Sequence, residues 1–253
     1  MISAIIITFN EEKNIARCLD SLRNVADEII VVDSFSTDNT EKICRGKNAR
    51  FIQHVFEGYI EQKNFAMLQA AHHYVLSLDA DECLSDELKQ SVLEVKKNLS
   101  KGLPAEIKDG YTMNRLNNFC GKWIHHSGWY PDRKIRLWNR NKGKWGGVNP
   151  HDKVVMEEGS TIGFIQGDLL HYTATSIEQF KKQQERFATI AADEIFKRGK
   201  KSSGFGAYMK GMLMFVRRYF FQLGFLDGYY GWVICNEAAK YTYLKYVKAK
   251  ELQ

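Results

Sequence analysis

YVLSLDADE, residues Tyr74 to Glu82, decides the reading of the fold: an apolar run ends abruptly in two aspartates that flank one alanine, with a glutamate after them. Such an unbroken apolar run marks a strand covered on both faces, as in a parallel sheet. The same kind of run occurs upstream in SAIIITF (3–9) and EIIVVD (28–33), and ARFIQHV (49–55) reads as a third strand. Helical patterns lie between them. EEKNIARCLDSLRN (11–24) puts Ile15, Leu19 and Leu22 on one face. A helix is expected from about Thr37, another over EQKNFAMLQAA (61–71), and another over SDELKQSVLEVKKNL (85–99). This βαβα alternation, with right-handed crossovers, predicts an α/β chain with a doubly wound, mostly parallel, Rossmann-like sheet.

Ligands of such a sheet sit outside the carboxyl ends of its strands. The first strand runs into Thr8, Asn10 and Glu11, the second ends in Asp33, and YVLSL ends in Asp79 and Asp81. Three loops therefore bring polar and acidic groups to one rim. Two carboxylates one residue apart suit a hard divalent cation holding diphosphate oxygens. Strand-end aspartates also cap helices and turns, and for Asp33 or Asp79 taken singly both readings stand. Neither GxGxxG nor GxxxxGK[ST] occurs, which disfavours a dinucleotide dehydrogenase or a P-loop NTPase.

ITFNEE (7–12), VVDSFSTDNT (31–40), EQKNFAMLQA (61–70) and LSLDADE (76–82) resemble the successive signatures of the family 2 inverting glycosyltransferases, which have the GT-A fold. WYPDRKIRLW (129–138), NPHDKV (149–154), LLHYT (169–173) and GFLDGYYG (224–231) resemble the branch that places β-glucose on lipopolysaccharide-core heptose. The resemblance implies a metal-dependent hexosyltransferase that moves a hexose, glucose by expectation, from a UDP-sugar to a lipopolysaccharide or lipooligosaccharide core saccharide. It implies that Thr8, Asn10 and Glu11 line the nucleoside pocket, that Asp33 bonds the uracil, and that Lys63 and Asn64 lie near the base. Asp79 would face the ribose and metal, and Asp81 would bind Mg²⁺ or Mn²⁺. PDRKIRLW replaces the family's usual acidic pair, so Asp132 is carried over as the catalytic base, with Asp152 as runner-up. Arg136 either pairs near the diphosphate or decorates a strand. His171 is either a further metal ligand or a packed structural histidine. His125, His126, Trp129 and Tyr130 are expected to flank the acceptor cleft, with His151 orienting acceptor or diphosphate.

Three regions are expected: a nucleotide-sugar half over 1–103, an acceptor-binding and catalytic half over 104–174, and a C-terminal helical segment over 175–253 opened by the capping box T-S-I-E at Thr175. Its expected apolar stripe is Ile177, Phe180, Phe187 and Ala191. Five scattered cysteines without a CxxC pair indicate neither a disulfide framework nor a zinc cage. Residues 196–253 hold 11 Lys/Arg against 3 Asp/Glu, whereas the rest of the chain is slightly acidic. That balance argues against nucleic acid on the folded core. It points to an anionic membrane surface under residues 204–250, or to helices that pack internally or form a homodimer. No apolar run reaches spanning length, so a cytoplasmic enzyme peripheral on the inner face of the membrane is expected. Two other readings use the same chain: the same donor chemistry with a polyprenyl phosphate, capsule glycan or peptide acceptor, and a nucleotide- or sugar-binding protein without activity.

Overall fold

The computed structural model describes residues 1–102, 106–148, 151–199 and 203–252. The chain begins with β1 (Ile2–Thr8), α1 (Ile15–Ser21), β2 (Glu28–Asp33), α2 (Thr40–Gly46), β3 (Arg50–Gln53), α3 (Tyr59–Leu68) and β4 (Tyr74–Asp79). A two-residue turn leads to β5 (Glu82–Leu84) and α4 (Asp86–Lys101). Then come β6 (Gly110–Phe119), β7 (Lys122–Ile124), β8 (Asp132–Asn139), the hairpin of β9 (Gly143–Val148) and β10 (His151–Met156), and β11 (Ile162–Ala174). The chain continues with α5 (Ile177–Lys197), α6 (Gly204–Val216), a π-turn (Arg217–Phe221), a 3-10 turn (Gly224–Asp227) and α7 (Gly228–Glu251).

Among the described residues the main sheet has the order β3-β2-β1-β4-β8-β6-β11-β5, with β7 on β6. The strands from β3 to β4 are parallel, and β8 joins β4 antiparallel. This is the expected doubly wound GT-A type sheet with a mixed continuation. Both faces of β1 are covered, which explains its unbroken apolar run. Ile2, Ala4 and Ile6 pack with Leu19, Leu22, Leu88 and Val92 on one side, and Ile5 packs with Ala66, Met67, Val75 and Trp138 on the other.

Two helices start later than their patterns suggest. The residues before α1 and α2 bond to each other instead: Thr37 N donates to Asn10 Oδ1 at 2.8 Å, Glu11 N to Thr40 Oγ1 at 2.9 Å, and Asn39 N to Glu12 Oε2 at 3.1 Å. Helix α5 is capped by Ser176, which accepts from Gln179 N, rather than by Thr175. Its buried residues are Phe180, Ala188 and Ala192, so the expected stripe is rotated by one position beyond Phe180.

The chain divides into two compact units, 1–115 with 132–171, and 116–131 with 172–253. Residues 103–105, where the first expected boundary falls, lie outside the described residues. In the second unit Asp227 is a buried hub. Its carboxylate accepts from His125 N at 3.2 Å, His126 N at 3.1 Å and Ser127 Oγ at 2.8 Å, and its carbonyl accepts from Lys122 Nζ at 2.7 Å. Trp129 is half-buried and packs edge-on against Phe119 and Phe180 there.

In the first unit Gly167 has φ +91°, and a Cβ built on it would lie 2.3 Å from Leu88 N in α4. Gly159 has φ +80° but open space around that position. Gly167→Ala should therefore cost about 3 kcal/mol in urea unfolding through the backbone clash, and Gly159→Ala about 1 kcal/mol through φ strain alone. Equal losses would show that the close approach of β11 to α4 does not matter.

Candidate active site

The turn after β4 folds its three acids in different directions. Glu82 turns inward, where its Oε2 accepts from Asp79 N at 3.0 Å and its Oε1 from Arg136 Nη2 at 2.7 Å. Arg136, on β8, also reaches Asp79 Oδ2 at 3.1 Å. Lys63, on α3, lies 2.9 Å from Asp79 Oδ1 and 2.8 Å from Asp152 Oδ2. Its ammonium sits 4.3 Å over the Trp145 ring. Asn64 fixes that ring's strand to α3: its Nδ2 donates to Trp145 O, and Trp145 N donates to its Oδ1, both at 3.0 Å. Lys63, Asp79, Arg136, Trp145 and Asp152 line one cleft of about 550 Å³, with Arg133 and Lys153 on its wall.

Burial alone would raise the Asp79 pKa, but Lys63 and then Arg136 outweigh it and hold the carboxyl well below the usual range. Arg136 shows the converse: burial disfavours its charge, while Glu82 and Asp79 keep it firmly protonated. Its Nε and Nη1 groups are buried without a hydrogen-bond partner, as are Trp145 Nε1 and Thr8 Oγ1. Unmatched guanidinium donors beside a cleft suit an anionic ligand such as a diphosphate.

Asp81 points away from this cluster toward His171, whose Nε2 lies 3.2 Å from its Oδ2. The pairing of β5 with β11 sets His171 opposite Glu82 and so next to the turn. Among the described residues no group of three or more His, Cys, Asp or Glu forms a complete metal site. One carboxylate oxygen and one imidazole nitrogen do fit a divalent cation whose other positions are filled by water and diphosphate oxygens.

At the end of β1, Asn10 has φ +54° and its N–H donates to Ser36 Oγ at 2.7 Å. Asp33 is fully buried; it accepts from Ser36 N at 2.8 Å and from the Ser36 hydroxyl. Glu11 holds Asn14 Nδ2 at 2.8 Å, and its pKa is raised by burial, opposed by that bond and increased further by Asp81. Asp132, at the start of β8, is gripped through both oxygens: Arg115 Nε at 3.0 Å and Nη2 at 2.8 Å on Oδ2, and Lys134 Nζ at 2.9 Å on Oδ1. It is not among the cleft's lining residues. The side chain of His151 lies outside the described residues. Arg115 and Trp145 belong to the site although no sequence signal singled them out, and Glu82, visible in the sequence only as the acid after the two aspartates, has a role there that the sequence did not give. Glu82 adjoins the two aspartates, but an acid's inward turn depends on an arginine arriving from a distant strand.

A family model described as glycosyl transferase family 2 matches residues 3–116. An uncharacterized glycosyltransferase of Rickettsia typhi is 32% identical over 260 residues, covering 99% of this chain and 87% of the relative. The chain belongs to glycosyl transferase family 2. This family 2 enzyme is also 27% identical to the lipopolysaccharide core biosynthesis glycosyltransferase LpsC of Rhizobium meliloti, over 98% of the chain and 91% of the relative. A crystal structure of glucosyl-3-phosphoglycerate synthase from Mycobacterium tuberculosis with Mn²⁺, UDP and glucosyl-3-phosphoglycerate overlaps it at TM-score 0.37 and 23% identity, over 47% of this chain and 44% of that one. That overlap is too small to carry an inference.

Removing the Lys63 charge leaves Asp79 and Asp152 facing each other with less compensation. Lys63→Met should destabilise the first unit by about 3 kcal/mol at pH 7. The Asp79 pKa is depressed in the folded state, so its stabilising contribution is present above the unfolded value near pH 4 and is lost as pH falls below it. The gap between wild type and variant should therefore narrow in denaturation measured at about pH 3. A gap that is unchanged there would separate Lys63 from the ionised state of Asp79.

Proposed function

We propose that the chain is an inverting hexosyltransferase that moves glucose from UDP-glucose to a lipid-linked lipopolysaccharide or lipooligosaccharide core saccharide, at the cytoplasmic face of the membrane. The observation that carries this reading is the cleft in which Lys63 joins Asp79 to Asp152 beside the two unmatched N–H groups of Arg136. It offers cationic donors for a diphosphate and a carboxylate for an attacking hydroxyl within one cavity. The likeness to LpsC over nearly the whole chain supports the core-saccharide acceptor.

In the proposed reaction the acceptor oxygen attacks the anomeric carbon, the bond from that carbon to the diphosphate oxygen breaks, and UDP leaves with the electron pair. The hydroxyl proton goes to a carboxylate. Asp152 suits this task better than Asp132, because it lines the cleft and has one cation on Oδ2, whereas both oxygens of Asp132 are engaged. Arg136 and Lys63 steady the charge growing on the departing diphosphate. Asp81 and His171 would hold Mg²⁺ or Mn²⁺, which supplies further positive charge to that group. Thr8, Asn10, Glu11 and Asp33 form the nucleoside end of the same rim, and Asn64 acts by positioning Trp145.

The decisive experiment is a screen of nucleotide sugars for thermal stabilisation and hydrolysis with Mn²⁺ and with EDTA. UDP-glucose should stabilise the protein only with the cation, and Asp81→Asn should remove that dependence. Asp152→Asn should keep UDP affinity in calorimetry but lower turnover by about 10³-fold. If Asp132→Asn is the inactive variant and Asp152→Asn turns over normally, the base is Asp132. Equal UDP affinity with and without divalent cation would remove the role given to Asp81 and His171.

A further inference from the structure

The second unit carries a surface that the transfer chemistry leaves unused. On α6, Phe205, Tyr208 and Met212 follow at i, i+3 and i+7 and are exposed together, with Leu213 beside them. Beyond α6, Phe220, Phe221, Phe225, Leu226 and, at the start of α7, Tyr229 and Trp232 are exposed as well. Phe221 is 80% exposed and Phe205 78%. Ring contacts run from Phe215 to Tyr219 and on to Phe220 and Phe225, and Tyr229 stacks on Trp232. So many exposed rings and aliphatic side chains within one stretch of chain are uncommon on a monomer and mark a docking face.

Its charge selects the occupant. Between Ser203 and Asn236 the cations are Lys210, Arg217 and Arg218, and the single acid is Asp227. Asp227 is buried and bonded to residues 125–127, so no carboxylate of this segment faces outward. Phenylalanine, tyrosine and tryptophan interleaved with arginine and lysine suit the headgroup region of a bilayer, where rings enter the acyl boundary and cations meet lipid phosphates. A second copy fits less well. In a twofold contact the cations of each copy would meet a face to which this segment contributes no outward acid. Among the described residues no helix is long and apolar enough to cross a membrane.

We infer that this face, from Phe205 to Trp232, docks the protein onto the surface of an anionic phospholipid bilayer. The inference stands on the second unit alone and is independent of the catalytic reading, so the test uses no turnover.

Full-length protein is floated with vesicles of phosphatidylcholine alone and with vesicles containing phosphatidylglycerol, at low and high salt. It should float with the anionic vesicles at low salt and be released at high salt, because exposed charges are screened. Trp232 emission should shift to the blue with anionic vesicles, a shift lost in Trp232→Phe. Phe220→Ser with Phe221→Ser should weaken partitioning by at least about tenfold, and Arg217→Glu by on the order of tenfold with a flatter salt dependence. Circular dichroism of each variant should match wild type, since the altered side chains are exposed. Folded wild-type protein that stays with the pellet in all cases would overturn the inference. So would a dimer in sedimentation that the paired serine change dissociates, which would assign the face to a second copy.

Discussion

The ammonium of Lys63 stands between two carboxylates, 2.9 Å from Asp79 and 2.8 Å from Asp152, and the geometry of the first unit depends on its staying there. Acids gathered in a half-buried cleft lose hydration and repel one another, so each needs a cation close by. Here Asp79, Glu82, Asp132 and Asp152 face Lys63, Arg115, Lys134 and Arg136. The match ties α3, β4, β8 and β10 to one another through charge, beyond what their apolar contacts supply. Trp145 adds the low-dielectric wall on which both Lys63 and Arg136 rest, and Asn64 keeps that wall in place.

The same arrangement separates two chemical tasks within the four residues from Asp79 to Glu82. Asp79 is committed to Lys63 and Arg136, which keep it ionised, whereas Asp81 faces the single imidazole of His171. In the proposed reaction this division would leave Asp81 and His171 to a divalent cation and the protein's own positive groups to the diphosphate. Glu82, buried between Arg136 and Arg115, holds the turn by accepting from Asp79 N. An acid in that position orients the arginine, whose Nε and Nη1 are buried without a hydrogen-bond partner.

In the second unit a single buried carboxylate has an equivalent organising role. Asp227 gathers the amides of His125 and His126 and the Ser127 hydroxyl, satisfying a loop that has no regular structure of its own. Because Asp227 is withdrawn in this way, the segment from α6 to the start of α7 presents rings and cations without an outward acid.

The strands of the parallel half were legible in the sequence, because burial on both faces demands unbroken apolar runs, and YVLSL, EIIVVD and SAIIITF have them. So was the placement of Thr8, Asp33 and Asp79 at the carboxyl ends of those strands, since the residues that close such runs must leave the sheet there. Helix starts near Glu11 and Thr37 were misplaced by a few residues because the intervening polar groups bond across loops, and propensity does not encode such partners. The pairing of Lys63 with Asp152 spans 89 residues, and which acid would meet which cation depended on the packing of β10 near α3. For His171 the sequence left two readings, metal ligand or packed structural histidine, and the register of β11 against β5 is what set it beside Asp81. Local sequence determined which segments are buried and where they end, because hydrophobic burial is read residue by residue; register and charge pairing were decided by the tertiary structure, because they depend on two distant segments at once.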